Sequence, residues 1–432
     1  MERRKFIKTA GLTALGTIGV PYILPTGRLF AASGTRKVNH VVFCLFAGGV
    51  RNMESVHKAD GNLMPSMLSG TEPISSDIIS DLSTLPPNPL QNPLQTYGTL
   101  FKEFRFDSGP TGHINGHVTA ITGKNTNNTL DIRNRTQDPT IFELYRKHSN
   151  PEKAALNSWW ITTSNNYYPL LNHSQNSGYG SAFGANQLTP NAFFNYNLVD
   201  EIKDVWNSNG QEAIVKDLNN FLNYNFFSGN QATAHVKNNK TETDRLQNWL
   251  SQMISGVKSG AYSNPWNIPG GMNSDMRNVM YAEEVIKEFK PELLVVNMFG
   301  VDIAHTNFTR YCNALQYADW ATAHLWDTIQ NTPGMADDTL LVVMPEVGRN
   351  GTANSIVDSN GRFALDHSSN DPTTREIFCM MAGPQGVIKQ NLEITSVTGR
   401  SVDVVPTIAD ALGFYNDVSG SLPGTPLAQA YF

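Results

Sequence analysis

A carboxylate and an imidazole three residues apart, Asp302 and His305, stand just beyond the run from Glu292 to Met298, which is apolar, β-branched and almost uncharged. Such a run reads as a buried parallel strand, opened by Pro291 and closed by Gly300. Open α/β sheets bind their ligands at the carboxyl ends of strands. An oxygen and a nitrogen donor on one short turn can grip a divalent cation. Taken alone, the pair has a plainer reading: an aspartate that caps the next helix beside a surface or core histidine. A second apolar strand, Thr339 to Met344, ends on Pro345-Glu346-Val347-Gly348-Arg349-Asn350, and a further polar cluster, Asp366-His367-Ser368-Ser369, follows. Between Gly109 and Gly123 two histidines, His113 and His117, lie four apart at the start of a probable helix and so share one face of it. Their spacing fits an active-site turn and fits equally two histidines that only pack or cap.

The elements that must position these residues follow from periodicity. Val38 to Phe46 is the first strand, broken at Ala47-Gly48-Gly49, where glycines let the backbone turn sharply and approach a ligand, and Arg51-Asn52-Met53-Glu54 follows. A helix from Asn313 to Gln330 carries Leu315, Ala318, Ala321, Leu325 and Ile329 on one face, and Thr332-Pro333-Gly334 stops it. Ile377 to Ala382 is another strand, and Val402 to Gly413 a helix with Pro406 in its first turn and Gly413 at its end. Strands separated by helices imply an α/β fold with a mostly parallel, doubly wound sheet flanked by helices. Residues 60–100, rich in Pro, Ser and Asn, read as a long ordered loop over one rim of the sheet. Residues 150–290 differ in composition. Asn157 to Gln187 is crowded with Asn, Ser, Tyr and Trp, including Ser158-Trp159-Trp160 and Asn165-Asn166-Tyr167-Tyr168, and helices are expected at Asn197 to Phe227, Thr241 to Val257 and Asn273 to Lys290. The block is expected to be a helical and loop insertion that caps the site. Its aromatics either stack on a sugar or another flat ligand or fill a loop core.

The chain has 432 residues, 40% hydrophobic and 16% charged, with a net charge of −6, which excludes a disordered chain and a general nucleic-acid surface. Cys44, Cys312 and Cys379 are an odd count without metal-type spacing; Cys44 and Cys379 fall inside apolar strands and read as buried free thiols. Glu2-Arg3-Arg4-Lys5-Phe6-Ile7-Lys8, a mildly apolar stretch from Thr9 to Leu24 and the small residues Ala31-Ala32-Ser33 have the order of a secretory signal. The stretch is too weakly hydrophobic for a membrane span. The paired arginines followed by Phe-Ile-Lys resemble a twin-arginine signal. Residues 1–32 are accordingly expected to be a signal peptide, residues 33–432 one domain, and the protein periplasmic or otherwise exported.

The order of these clusters, with the Asp302/His305 turn and the Asp403-Val404-Val405-Pro406-Thr407-Ile408-Ala409-Asp410-Ala411-Leu412-Gly413 helix carrying most weight, resembles the alkaline phosphatase and sulfatase superfamily. The resemblance covers roughly residues 38–125 and 290–415, and within the superfamily it lies nearest the sulfatase-like proteins exported by the twin-arginine route. Those have Glu-x-Gly-Arg, here Glu346-Val347-Gly348-Arg349, and a downstream Asp-His, here Asp366-His367. Active members usually carry an Asp at the end of the first strand, where this chain has Phe46-Ala47; Asn52 and Glu54 lie close by without aligning. The usual nucleophile position falls on His113, and one imidazole of a two-metal site is lost at Glu346-Val347.

The resemblance therefore implies an exported, metal-dependent hydrolase of phosphate or sulfate esters with an atypical site, its substrate an anionic ester that is free or carbohydrate-linked. One divalent cation is expected on Asp302, His305 and His367, two imidazoles and a carboxylate that suit zinc, with calcium, magnesium or manganese as alternatives. Glu346 is the expected fourth ligand or the partner that orients an imidazole. His113 faces the open position, His113 or His117 serves as general acid or base, and Arg349 stabilises the anionic group. The missing nucleophile and first-strand acid motivate a second expectation: a non-catalytic cell-envelope binding or assembly protein on the same scaffold, with a protein partner.

Overall fold

The structure, a computed structural model, describes residues 34–79, 82–128, 130, 135–149, 154–162, 171–190, 236 and 238–432, together with two short paired strands at 22–23 and 29–30. The expected signal peptide lies almost wholly outside the described residues, as do the Asn197 to Phe227 helix and the Asn165–Tyr168 aromatics. The central sheet has eight strands: β1 (His40–Phe46), β2 (Gly98–Arg105), β3 (Ser158–Thr162), β4 (Asn186–Leu188), β5 (Leu293–Met298), β6 (Thr339–Pro345), β7 (Glu376–Ala382) and β8 (Leu392–Arg400), in the spatial order β8-β2-β7-β6-β1-β5-β3-β4. Among the described strands of this sheet only β7 runs against its neighbours, pairing antiparallel with both β2 and β6; the sheet's other ladders are parallel. Among the described residues, helices of two turns or more are α1 (His113–Thr122), α2 (Ile141–His148), α3 (Lys240–Lys258), α4 (Ser274–Phe289), α5 (Phe308–Gln330) and α6 (Val404–Ala411).

Side chains of a strand alternate between faces, and here each face has its own core. Val42, Cys44 and Phe46 of β1 with Leu294, Val296 and Met298 of β5 join Leu250, Val279 and Leu315 from α3, α4 and α5. Val41, Phe43 and Leu45 with Leu293 and Val295 join Val118, Phe142 and Ile408 from α1, α2 and α6. The sheet is thus buried on both sides between two helical layers, which is why its central strands are continuous apolar runs rather than alternating ones. Each such side chain taken out of water contributes about 1.5–3 kcal/mol. All three cysteines are free and buried. No helix among the described residues is long and apolar enough to cross a membrane.

Four strands were not legible in the sequence. β8 is largely exposed, β4 has three residues, β2 carries Lys102, Glu103 and Arg105, and β3 was hidden in the aromatic crowd. Two of them, β3 and β4, belong to the block expected to be an insertion, so part of that block is sheet edge. Trp159 and Trp160 are core residues there. Trp159 stacks on Phe289 at 5.2 Å between ring centres, and Trp160 meets Phe142 edge-on, so neither is a platform for a flat ligand. The loop expected over one rim packs instead on a helical face: Leu63, Met64, Met67, Leu68, Ile78 and Leu94 enter the core shared by α4 and α5.

Asp319, on α5, clamps that loop. Its buried carboxylate accepts the backbone N–H groups of Ser66 at 2.9 Å and Met67 at 2.7 Å. Burial pushes the carboxyl up to about 7, against the pull of those two N–H groups. The folded state therefore holds this proton more tightly than the unfolded chain does. The associated stability is fully present below the ordinary carboxyl range and is lost as pH rises through 7. Asp319→Asn is expected to cost about 1–3 kcal/mol near pH 4, because one N–H loses its acceptor. The gap to wild type should narrow between pH 4 and pH 7, which chemical denaturation at the two pH values measures.

Candidate metal centre

Register brings the candidate residues together. Phe46 is paired with Met298 on one side and Pro345 on the other, so β1, β5 and β6 end level, and Gly48, the Asp302 turn and Glu346 leave the sheet at one edge. Beyond β5 the chain winds into a short 3-10 turn, Gly300–His305, which holds Asp302 and His305. His113 stands in the first turn of α1, and His367 lies in the loop between β6 and β7.

Four residues converge: His113, Asp302, His305 and His367 each offer a ligand atom, and these atoms lie within 4.8 Å of one another. His113 Nε2 is 2.9 Å from Asp302 Oδ1 and 2.8 Å from His367 Nε2, and His305 Nε2 is 3.4 Å from Asp302 Oδ1. The outer nitrogen of every ring is occupied. Nδ1 of His113 meets Glu346 Oε1 at 2.6 Å, Nδ1 of His305 meets Asp366 Oδ1 at 2.7 Å, and Nδ1 of His367 meets the Thr111 carbonyl at 2.8 Å. Carbonyl and carboxylate oxygens only accept, so each Nδ1 carries the proton and donates. All three Nε2 atoms are thereby turned toward Asp302. Imidazoles that bind a cation are oriented in this way by an acceptor on the far nitrogen. Three imidazole nitrogens and one carboxylate oxygen suit a four-coordinate divalent cation.

The electrostatics agree. Burial lowers the His113 imidazole, but the Glu346 and Asp302 carboxylates outweigh it and raise it to about 9. His367 is lowered to about 3 by burial, with charged His113 and Arg349 adding to the effect. Burial works to raise Glu346, yet the imidazoles of His117 and His113 hold it well below the carboxylate range. Asp302 is also held low, since the hydrogen bond and charge of His113 overcome its burial. Without a cation the cluster thus keeps one proton on His113, shared toward Asp302 and His367.

Other expected site residues lie elsewhere. Glu346 is fully buried and stands behind His113, where it also accepts the Gly48 N–H at 2.6 Å and pairs with His117. It supports an imidazole and is not one of the four clustered donors. His117 is fully buried; its Nδ1 donates to the His113 carbonyl at 2.7 Å, and its Nε2 lies 3.0 Å from Asn297 Oδ1. Helical spacing puts His117 on the His113 face, but one turn deeper that face meets the sheet.

Arg349 is buried as well. It donates to the Gly49 carbonyl at 3.2 Å, the Leu365 carbonyl at 2.7 Å, the Gly48 carbonyl, and Asp302 Oδ1 at 3.0 Å. Those bonds spend its fork on the chain itself and on Asp302, not on an open anion site. Gly48 (φ +106°) is required here, for a Cβ would lie 2.5 Å from the Asp302 nitrogen. Near it, Glu54 is paired with Arg51, and Asn52 donates to the Lys102 carbonyl at 3.2 Å, so neither reaches the cluster. Thr111, whose carbonyl orients His367, was missed because a backbone acceptor leaves no mark in residue type.

Comparison with solved structures finds several that are similar to this chain. They include a protein of the alkaline phosphatase superfamily from Vibrio parahaemolyticus, 12% identical with a TM-score of 0.43, covering 96% of this chain and 76% of that one. The wild-type alkaline phosphatase PafA is 10% identical with a TM-score of 0.47, covering 93% and 100%. The lipoteichoic acid synthase LtaP from Listeria monocytogenes is 11% identical with a TM-score of 0.39, covering 93% and 77%. Identities and scores this low transfer no residue role. No family model matches the chain, and no curated protein does.

Proposed function

We propose that the protein is an exported hydrolase of phosphate or sulfate esters that works with one divalent cation, zinc being the best fit to its donors. The observation that carries this reading is the convergence of three Nε2 atoms and Asp302 Oδ1, with every Nδ1 held by an acceptor. A divalent ion held there would supply Lewis acidity to an ester oxygen or water admitted beside the four protein donors or in place of one of them. The chain's own residues do the rest. Glu346, Asp366 and the Thr111 carbonyl fix the tautomers of the three imidazoles. Asp302 and His305 remain partly open to solvent, which leaves a side for an anionic ester to approach. Arg349 places a fixed positive charge behind Asp302, so the site combines one exchangeable cation with one built-in cation. That arrangement favours a single metal ion. The test is turnover of a broad panel of aryl phosphates and aryl sulfates by zinc-loaded protein, abolished by Asp302→Ala.

A second reading has its own support. Of the expected acid–base and anion-binding groups, His117 and Arg349 are buried and engaged, and His113, expected to face an open position, is itself one of the four clustered donors. A metal-holding binding or assembly protein of the cell envelope needs neither group at the open face. Inert zinc-loaded protein that co-purifies with a stable partner would establish this reading in place of the first.

Export rests on the N-terminal Arg3-Arg4 pair. Twin arginines are read by a receptor and not through hydrophobicity. Joint Arg3→Lys and Arg4→Lys substitution is expected to leave the precursor in the cytoplasm. Unchanged export would indicate the general secretory route.

A further inference from the structure

We infer that Asp275 is a positioning residue for the metal centre, acting on it through the backbone; the inference rests on the metal-binding reading above. Asp275 lies in the first turn of α4 with its carboxylate fully buried. Oδ1 accepts the Phe299 N–H at 2.7 Å and the Gly300 N–H at 3.1 Å, and Oδ2 accepts the Gly300 N–H at 2.9 Å. Those are the peptides at which β5 ends and the 3-10 turn bearing Asp302 and His305 begins.

The first N–H groups of a helical turn have no partner within it. The residue before this turn, Phe299, supplies no side-chain cap. Asp275 provides the cap from a different element. Gly300 admits it, for a Cβ at that position would lie 2.5 Å from Asp275 Oδ2. One turn further along α4, Asn278 donates to the Asn297 carbonyl at 2.6 Å, so the same helix grips the strand exit on both sides of the bend.

The consequence is mechanical. Asp302 and His305 follow Gly300 on one short turn, so rotation of the Gly300 peptide displaces both at once. At the far end of the turn, Arg349 holds the Asp302 side chain and Asp366 the His305 ring, while Asn354 donates to the His305 carbonyl at 3.2 Å and the Leu365 N–H to the Ala304 carbonyl at 2.8 Å. Asp275 acts at the other end, on the Phe299 and Gly300 peptides through which the chain enters the turn.

Zinc affinity of the intact protein, measured by calorimetry at 25 °C, tests this against a matched control. Asp319 is also a fully buried aspartate that accepts two backbone N–H groups, but it serves the loop on α5. Asp275→Asn is expected to raise the zinc Kd about ten- to a hundredfold. Asp319→Asn should lower the melting temperature comparably and leave the Kd unchanged. Gly300→Ala, which crowds the carboxylate off its donors without altering charge, should reproduce the effect and serves if Asp275→Asn does not fold. Wild-type zinc affinity in either Asp275→Asn or Gly300→Ala would overturn the inference, as would an equal loss in Asp319→Asn. Wild-type protein that binds no zinc would instead remove the metal-centre reading itself.

Discussion

Zinc titrated into the protein is expected to saturate at one ion per chain, and Asp302→Ala to bind it roughly a hundredfold more weakly. Asp302 is the hub of the cluster: His113, His305 and Arg349 all approach its Oδ1. Replacing it removes the only carboxylate among the four donors and the carboxylate hydrogen-bonded to Arg349. His367→Ala and His305→Ala remove one nitrogen each and should weaken binding by a smaller factor, since Asp302 remains.

Proton release is a second readout. His113 carries a proton up to about pH 9 in the cation-free cluster. A cation at Nε2 must displace that proton, so affinity should rise with pH by about tenfold per unit until that range is reached. Two ions per chain, or affinity that falls as pH rises from 6 to 8, would contradict the single-site assignment.

Arg349→Ala is expected to have the largest effect on the fold, a loss of about 3 kcal/mol or more, because it leaves several buried carbonyls without a donor and the half-buried Asp302 without its guanidinium. The guanidinium ties the Gly48, Gly49 and Leu365 carbonyls to Asp302, so it joins the end of β1, the loop after β6 and the Gly300–His305 turn. Its removal orphans several buried acceptors at once. Arg349→Lys should recover little, since an ammonium on a flexible stem does not reproduce the planar fork that reaches them together. Thermal and denaturant unfolding measure both variants. Near wild-type stability in Arg349→Lys would mean that charge alone, and not the fork, holds the three segments. An unchanged melting temperature in Arg349→Ala, with loss confined to turnover, would restore the anion-binding role that the sequence suggested.

By itself the sequence determined the fold class, four of the eight strands, and Asp302, His305 and His367 as three of the four clustered residues; the Asp302/His305 pair and the strands rest on short-range information. Apolar runs such as Val295-Val296 and Leu341-Val342 are strands wherever they are buried, and polar residues just past them must emerge at the carboxyl edge. Asp302 and His305 share one short turn, so their proximity needed no knowledge of the rest of the chain. Which polar residues reach the cluster, and which stay behind it, was decided only by tertiary contact. His113 and His117 look alike on the helix, yet Nδ1 of His113 is held by Glu346, the residue just past β6, while His117 is buried one turn deeper against β5. Arg349 reads as a free cation after a strand until the Gly48 and Leu365 carbonyls, from loops far apart in sequence, close around it. Asp275 reads as an ordinary first-turn acid of α4, since nothing local says that its carboxylate faces the Phe299 and Gly300 N–H groups. A carboxylate or guanidinium takes its role from the donors and acceptors around it, and here those come from elements that only folding brings together.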